Sequence, residues 1–385
     1  VTIQEINQGD GAWSLTLKDG TPGNVTDLLA SGFSYIRVFP TSVQSVEVAD
    51  LPPLYTGVVL RRDGQYGCSG VGPNWLLGEP NATGDQVGPI FETAVSFNST
   101  TGTLTAWTHA VADRCGLGYG TIGATATKWA GELQYVAPRV VLDPWMVAGF
   151  GGTLEYRVDP SLNLNCAFRS ELYKNPTDND ITAILINGEV VSRTLVDPDG
   201  VPCPEMELSS SVEELERRVV LKGASSTAGS SAAGWNYKNP AGGTLDRIRY
   251  TINEQVDAAD MTGALARLLG LHRYKRQSLS VRVSSRPPFP FICGDWVWVF
   301  DPLKGLHDTS QNGFTYAGQH VFPVATRVVE MTYPIVEGMS VWHDDTHQGG
   351  ALTDLTPYVE WETGDTTLSV GALPRTLSYL RRPAS

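Results

Sequence analysis

The chain has 385 residues, is 41% hydrophobic and 18% charged, and carries a formal net charge of −13. That length exceeds one ordinary core and predicts about two to four domains, while the hydrophobic share excludes wholesale disorder. The acidic balance, with no Lys/Arg cluster, excludes a non-specific nucleic-acid binder, and no apolar run is long enough to span a bilayer.

The chain opens on a strand pattern at Val1, so no secretory signal is read. Residues 1–53 read as strands with one short helix. Trp13, Leu15 and Leu17 share one face of a strand, Pro22 suits a helix start, and 33–39 resumes the strand pattern. Residues 54–62 form another strand. From 63 to 89 the chain is rich in Gly, Pro, Asn and Asp and reads as loops around short strands, including one at 75–78.

Residues 103–115 have helical spacing, with Leu104, Trp107, Ala110 and Val111 on one side and glycines beyond. A second helix or an extended arm follows at 124–135, and Asp143-Pro144 reads as a break. Leu154, Tyr156 and Val158, a turn at Asp159-Pro160-Ser161, then Leu162, Leu164 and Cys166 read as a hairpin. A second hairpin is expected about Asn187-Gly188. Ser211 with Glu214 makes a capping box for a short helix, which feeds a strand at 219–223. The small, polar stretch 224–234 reads as a mobile loop. A helix is expected over 257–269, ended by Gly270.

Four strands are expected between 277 and 342. Leu279, Val281 and Val283 alternate with Ser280 and Arg282. Trp296 and Trp298 share one face of a strand and Val297 and Val299 the other, so this strand is expected to be covered on both sides, with the 257–269 helix as its nearest cover. The end of the chain, 374–385, reads as an extended arm. The fold class is therefore mainly β with α+β modules, built on small antiparallel β-barrels. The expected units are a barrel-like domain at 1–96, an α+β domain at 97–205, an α+β linker domain at 206–276, a second barrel-like domain at 277–345 and a C-terminal arm at 346–385.

Catalytic signatures are absent: there is no Gly-x-Ser-x-Gly elbow, no His-Glu-x-x-His and no phosphate-loop lysine beside the glycines at 67–72. No catalytic, cofactor-binding or metal-ligating residue is assigned, no cofactor is expected, and the chain is not read as an enzyme. His343, His347, Asp344 and Asp345 form the one cluster with ligand chemistry, and their setting before Gly349-Gly350 reads as a solvated loop. Asp295, Asp301 and Glu330 are the carboxylates a glycoside hydrolase would need, but the first two sit at turns and the third among strand residues. Trp75, Trp107, Trp129, Trp145, Trp235, Trp296, Trp298, Trp342 and Trp361 could stack on sugars or serve a core or interface. Cys68, Cys115, Cys166, Cys203 and Cys293 are odd in number, lack Cys-x-x-Cys spacing and read as buried reduced thiols.

Several stretches together resemble a known family. They are 5–17, Tyr55-Thr-Gly-Val-Val-Leu-Arg-Arg, 152–164, and above all Gly294-Asp-Trp-Val-Trp-Val-Phe-Asp-Pro with 321–342. They are similar to the minor tail proteins of long non-contractile-tailed (siphovirus-type) actinobacteriophages. The resemblance implies a tail-tip hub similar to the central hub of contractile phage baseplates. That hub is a homotrimeric virion protein, assembled in the host cytoplasm, that closes the tail tube and opens for DNA ejection. The implied partners are a distal tail ring protein, a tape measure protein and other minor tail or fibre proteins, with phage DNA passing transiently and no stable membrane insertion. Alternatives are the distal tail ring itself, a receptor- or glycan-binding tail-tip module, and a cell-wall hydrolase.

Overall fold

The alternation predicted for 277–283 and the apolar run beyond 321 both become strands of one large sheet. The computed structural model describes residues 2–7, 9–29, 34–40, 51–80, 86–148, 154–174, 184–186, 200–202, 205–211, 218–223, 228–232, 237–238, 244–245, 248–252, 261–272, 276–283, 287–301, 306, 314–316, 319–321, 324–345, 352–361 and 364–371. The strands of the large sheet are β1 (Thr2–Ile6), β2 (Ala12–Thr16), β3 (Tyr35–Phe39), β4 (Tyr55–Asp63), β5 (Gly67–Val71), β6 (Ile184–Ile186), β7 (Gly200–Pro202), β8 (Glu205–Ser211), β9 (Arg276–Val283), β10 (Trp296–Phe300), β11 (Val324–Pro334), β12 (Ser340–Asp344), β13 (Thr353–Asp354) and β14 (Thr366–Gly371). Five helices are described: α1 (Gly23–Leu28), α2 (Leu104–Cys115), α3 (Pro138–Ala148), α4 (Arg169–Leu172) and α5 (Met261–His272).

The sheet runs β7-β6-β10-β11-β1-β2-β5-β4-β3-β12-β13, with a branch β11-β14-β9-β8. Its spine is β11, an 11-residue strand. The first half of β11 pairs with β10 and its second half with β1, while β14 takes the opposite edge. A register shift between Val328 and Glu330 lets one strand bend and serve both halves. Leu279, Val281 and Val283 are fully buried, as their alternation requires, and join Ile3, Trp13, Leu15, Val297, Val299 and Val341 in one core. The Trp13 indole lies in a slot cut by Gly57 and Gly70, where an added Cβ would meet it at 2.3 and 2.8 Å.

The mainly β class with α+β modules is therefore observed. Among the described residues, however, no strand set closes as a separate barrel. Strands from all five expected units enter the same sheet, because the first strand of the chain pairs with a strand more than three hundred residues later. The C-terminal part, expected as an arm, also contributes β14, in which Leu368 and Val370 alternate with polar residues and are fully buried.

Two smaller units flank this sheet. In one, α2, capped by Thr103 and ended by left-handed Gly116, packs with α3 against the hairpin Leu154–Val158/Asn163–Phe168. In the other, Arg218–Lys222 lies between Ala228–Ala232 and Ile248–Ile252, covered by α5.

Several local expectations are corrected. α3 continues through Pro144 despite a local penalty of about 3 kcal/mol, because Val141 and Leu142 are buried and Asp143 accepts a 2.6 Å hydrogen bond from Tyr156. The stretch expected as a mobile loop contains the strand Ala228–Ala232. Its small residues let α5 approach, since a Cβ on Gly229 would sit 2.7 Å from Leu265. α5 continues past Gly270 to His272 and covers this small sheet, not β10. Residues 75–77 belong to a 3₁₀ turn, Pro73–Leu77, not a strand. Ser211 ends strand β8, and the expected capped helix lies outside the described residues, as do the turn at 187–188 and the arm at 374–385.

Candidate functional site

The chemistry concentrates where the α2/α3 unit meets the large sheet, and hairpin alternation sets it up. Leu154, Tyr156 and Val158 enter the unit's own core, so Glu155 and Arg157 point the other way. The turn is fixed by Asp159, whose Oδ1 accepts from the N–H of Ser161 and of Asn163, both at 2.9 Å.

Glu155 is 2% exposed and faces Arg327 of β11. The guanidinium donates to both carboxylate oxygens, with Nη1 at 2.8 Å from Oε1, and its Nε donates to the Gly294 carbonyl at 2.7 Å. Arg169 adds an Nε–H bond to Oε1 at 2.6 Å. Arg327 also stacks over the Tyr173 ring at 4.8 Å. Tyr173 passes close to Gly294, whose φ of +106° and missing Cβ permit the approach.

Around this pair the junction is stitched by further bonds. Arg139 forks onto Asp10 and onto the Asn74 carbonyl. Asn74 donates to the Gly9 carbonyl at 2.9 Å and accepts from the Val158 N–H at 2.7 Å. Thr56 donates to the Pro160 carbonyl, and Tyr173 donates to Asn7 Oδ1 at 3.1 Å. Asp295 accepts from the Lys174 N–H and the Ile292 N–H, both at 3.0 Å. Polar links of this density are directional, so they set the orientation of the unit as well as its affinity for the sheet.

A cavity of about 130 Å³ lies inside the junction, lined in part by Glu5, Tyr55, Arg157, Tyr173, Phe291 and Tyr333. Glu5 keeps some accessible surface, but protein surrounds its carboxyl. Desolvation raises its pKa, against the hydrogen bond from Tyr333 at 2.5 Å and the charge of Arg157. Burial likewise pushes the Tyr55 and Tyr333 phenols well above their usual value, with Glu5 adding to both. The Tyr55 hydroxyl is buried and has no hydrogen-bond partner among the described residues.

The candidates drawn from the sequence are dispersed. His343 lies in β12, fully buried, with neither ring nitrogen hydrogen-bonded among the described residues, so the solvated loop expected there begins as a strand. Burial lowers its pKa, against the pull of Asp345 and Asp344. Asp344 pairs with Arg37 at 2.7 Å, and His347 lies outside the described residues. Among the described residues no three His, Cys, Asp or Glu side chains form a metal-holding group. Asp295 fixes a turn, buried Asp301 exchanges backbone hydrogen bonds with Leu306, and Glu330 accepts from Gln4 at 2.6 Å. The glycines at 67–71 form β5.

Among the described tryptophans none is exposed: Trp13, Trp107 and Trp342 are buried, and Trp75, Trp129, Trp296, Trp298 and Trp361 are half-buried. Trp145 and Trp235 side chains lie outside the described set. Cys68, Cys115, Cys166 and Cys293 are free thiols whose pKa burial raises, to about 12 for the first three, and Cys203 lies outside the described residues.

The residues that do come together, Glu5, Asp10, Arg139, Glu155, Arg157, Tyr173 and Arg327, were not singled out by the sequence. The available signal was a charged residue in mid-strand, as in Leu154-Glu-Tyr-Arg-Val and Val324-Ala-Thr-Arg-Val.

No protein-family profile and no curated protein matches the chain. Solved structures do. The tail protein from Neisseria meningitidis MC58 aligns over 96% of this chain and 91% of its own, with 12% identity and a TM-score of 0.50. The 43 kDa tail protein of prophage MuSo2 from Shewanella oneidensis aligns over 98% and 94%, with 13% identity and a TM-score of 0.47. The prophage tail protein gp18 from Listeria monocytogenes EGD-e aligns over 98% and 90%, with 10% identity and a TM-score of 0.47. The Neisseria alignment establishes a fold shared with a tail protein along nearly the whole chain.

Proposed function

We propose that the chain is a structural protein of a phage tail, placed at the tail tip as the hub that closes the tube. The observation that carries this reading is the fold shared with the Neisseria tail protein over 96% of the chain. The resemblance noted in the sequence adds the finer statements: a siphovirus-type tail, a homotrimer, contacts to a distal tail ring, a tape measure protein and fibres, and opening for genome ejection. In this reading the α2/α3 unit and the α5-covered unit are modules mounted on the large sheet. The net charge of −13 favours a wall that does not retain passing DNA.

The test is mass measurement of the purified chain and of isolated tail tips, with copies counted per particle. Three copies at the tip fit the hub, six fit the distal ring, and a monomer both alone and in the particle removes both.

A further inference from the structure

We propose that the cavity between the α2/α3 unit and the large sheet is a binding site for a small monocarboxylate with an apolar tail, held by Arg157, Tyr55 and Glu5. This goes beyond the structural role and does not depend on where in a tail the chain sits.

Some polar groups at the cavity are already bonded and others are not. Two guanidiniums flank the Tyr173 ring, at 4.8 Å for Arg327 and 5.6 Å for Arg157. Arg327 is committed to Glu155 and the Gly294 carbonyl. Arg157 lines the cavity, and its guanidinium, whose charge acts on Glu5, makes no hydrogen bond or ion pair among the described residues. Tyr55 is 4% exposed, lines the same cavity, and its hydroxyl is unpartnered. Leaving such a buried hydroxyl unbonded costs stability that a ligand acceptor would recover. Glu5 receives Tyr333 on one carboxyl oxygen only.

The unspent inventory is therefore rich in donors. A guanidinium fork matches a carboxylate in shape and charge, and a phenol adds a further donor. Glu5 in its protonated form supplies the last donor, and the desolvation that raises its pKa favours that form. The apolar remainder of the wall, including Phe291, Leu54 and Met331, suits a hydrocarbon tail. A cation would meet Arg157, and a phosphate dianion would place two charges beside Glu5.

The groups facing Glu5 are Tyr333 on β11, Tyr55 on β4, Arg157 on the hairpin and Cys293 before β10, whose thiol approaches the Glu5 carbonyl at 3.7 Å. Burial shifts Tyr55, Tyr333 and Cys293 upward, away from neutral pH, and shifts Glu5 upward from the ordinary carboxylate range. A bound anion raises the Glu5 pKa further, so binding takes up a proton and strengthens as pH falls.

The probe is butyrate, titrated calorimetrically into the full chain at about pH 5.5 and about pH 8, with methylammonium and inorganic phosphate as controls. The expected result is one saturable butyrate site per chain, tighter at the lower pH. Arg157→Leu is expected to weaken it by about tenfold or more and Tyr55→Phe by several-fold, with unchanged far-ultraviolet spectra. No saturable butyrate binding at either pH, a water-filled cavity only, would overturn the proposal. So would butyrate binding that strengthens with rising pH, or methylammonium binding in its place. The pH comparison uses the wild-type chain alone, so it stands even where a variant fails to fold.

Discussion

Replacing Arg327 with Met tests whether the junction is held by one buried ion pair. Arg327 is 7% exposed and Glu155 2%, and the guanidinium makes two bonds to that carboxylate and one to the Gly294 carbonyl. Met keeps much of the packing over Tyr173 but leaves Glu155 with only Arg169, whose side chain is 45% exposed. Removing one partner of a buried pair costs about 3–5 kcal/mol, and Arg169 reduces that toward the lower end. Glu155→Gln alone leaves a buried guanidinium half-satisfied and is expected to cost a similar amount. The double variant removes both charges, so its loss falls short of the sum of the single losses by at least about 1 kcal/mol. Urea unfolding followed by tryptophan fluorescence reads the stability, and hydrogen exchange across 154–168 reads whether the hairpin loosens first. A loss below about 1 kcal/mol for Arg327→Met, or strict additivity in the cycle, refutes the reasoning.

Three further outcomes follow from named contacts. Gly229→Val places side-chain atoms where a Cβ already meets Leu265 at 2.7 Å and Met261 at 2.9 Å, so it is expected to separate α5 from its sheet and raise protease sensitivity there. Glu5 has a folded-state pKa above its unfolded value of about 4.5, so the stability it contributes is full below that pH and is lost as pH rises through the folded pKa. Glu5→Gln is expected to flatten this part of a melting-temperature profile against pH, and an unchanged slope contradicts it. Trp298→Asp alters the half-buried face of β10, opposite fully buried Val297 and Val299, and is expected to impair assembly into tails at least as much as folding. Outright unfolding of the isolated variant would assign that face to the core.

Much of the fold was legible where pattern and packing agree. Leu279, Val281 and Val283 alternate in sequence and are buried in the sheet. Thr103 and Gly116 mark the two ends of α2 because one accepts from a helix-start N–H and the other takes a left-handed conformation. What stayed hidden depended on distant partners. Nothing local says that β1 pairs with β11, because strand pairing over such separation is set by the whole core, whereas Leu368 and Val370 alternate with polar residues and were a local sign of β14. Trp296 and Trp298 looked as apolar as Val297 and Val299, yet only the valines are fully buried, since alternation assigns faces without saying which face the core takes. The junction was hidden for a similar reason. Glu155, Arg157 and Arg327 are ordinary charged residues in strands until the hairpin brings the first two to the third.

The most direct test of the structural-tail account is electron cryo-microscopy of particles carrying this chain with a compact tag, compared with untagged particles. The account predicts extra density at the tail tip, in three copies around the tube axis, with the large sheet and both flanking units fitting the map. Tag density on the capsid, or particles that keep complete tails when the chain is deleted, would contradict it.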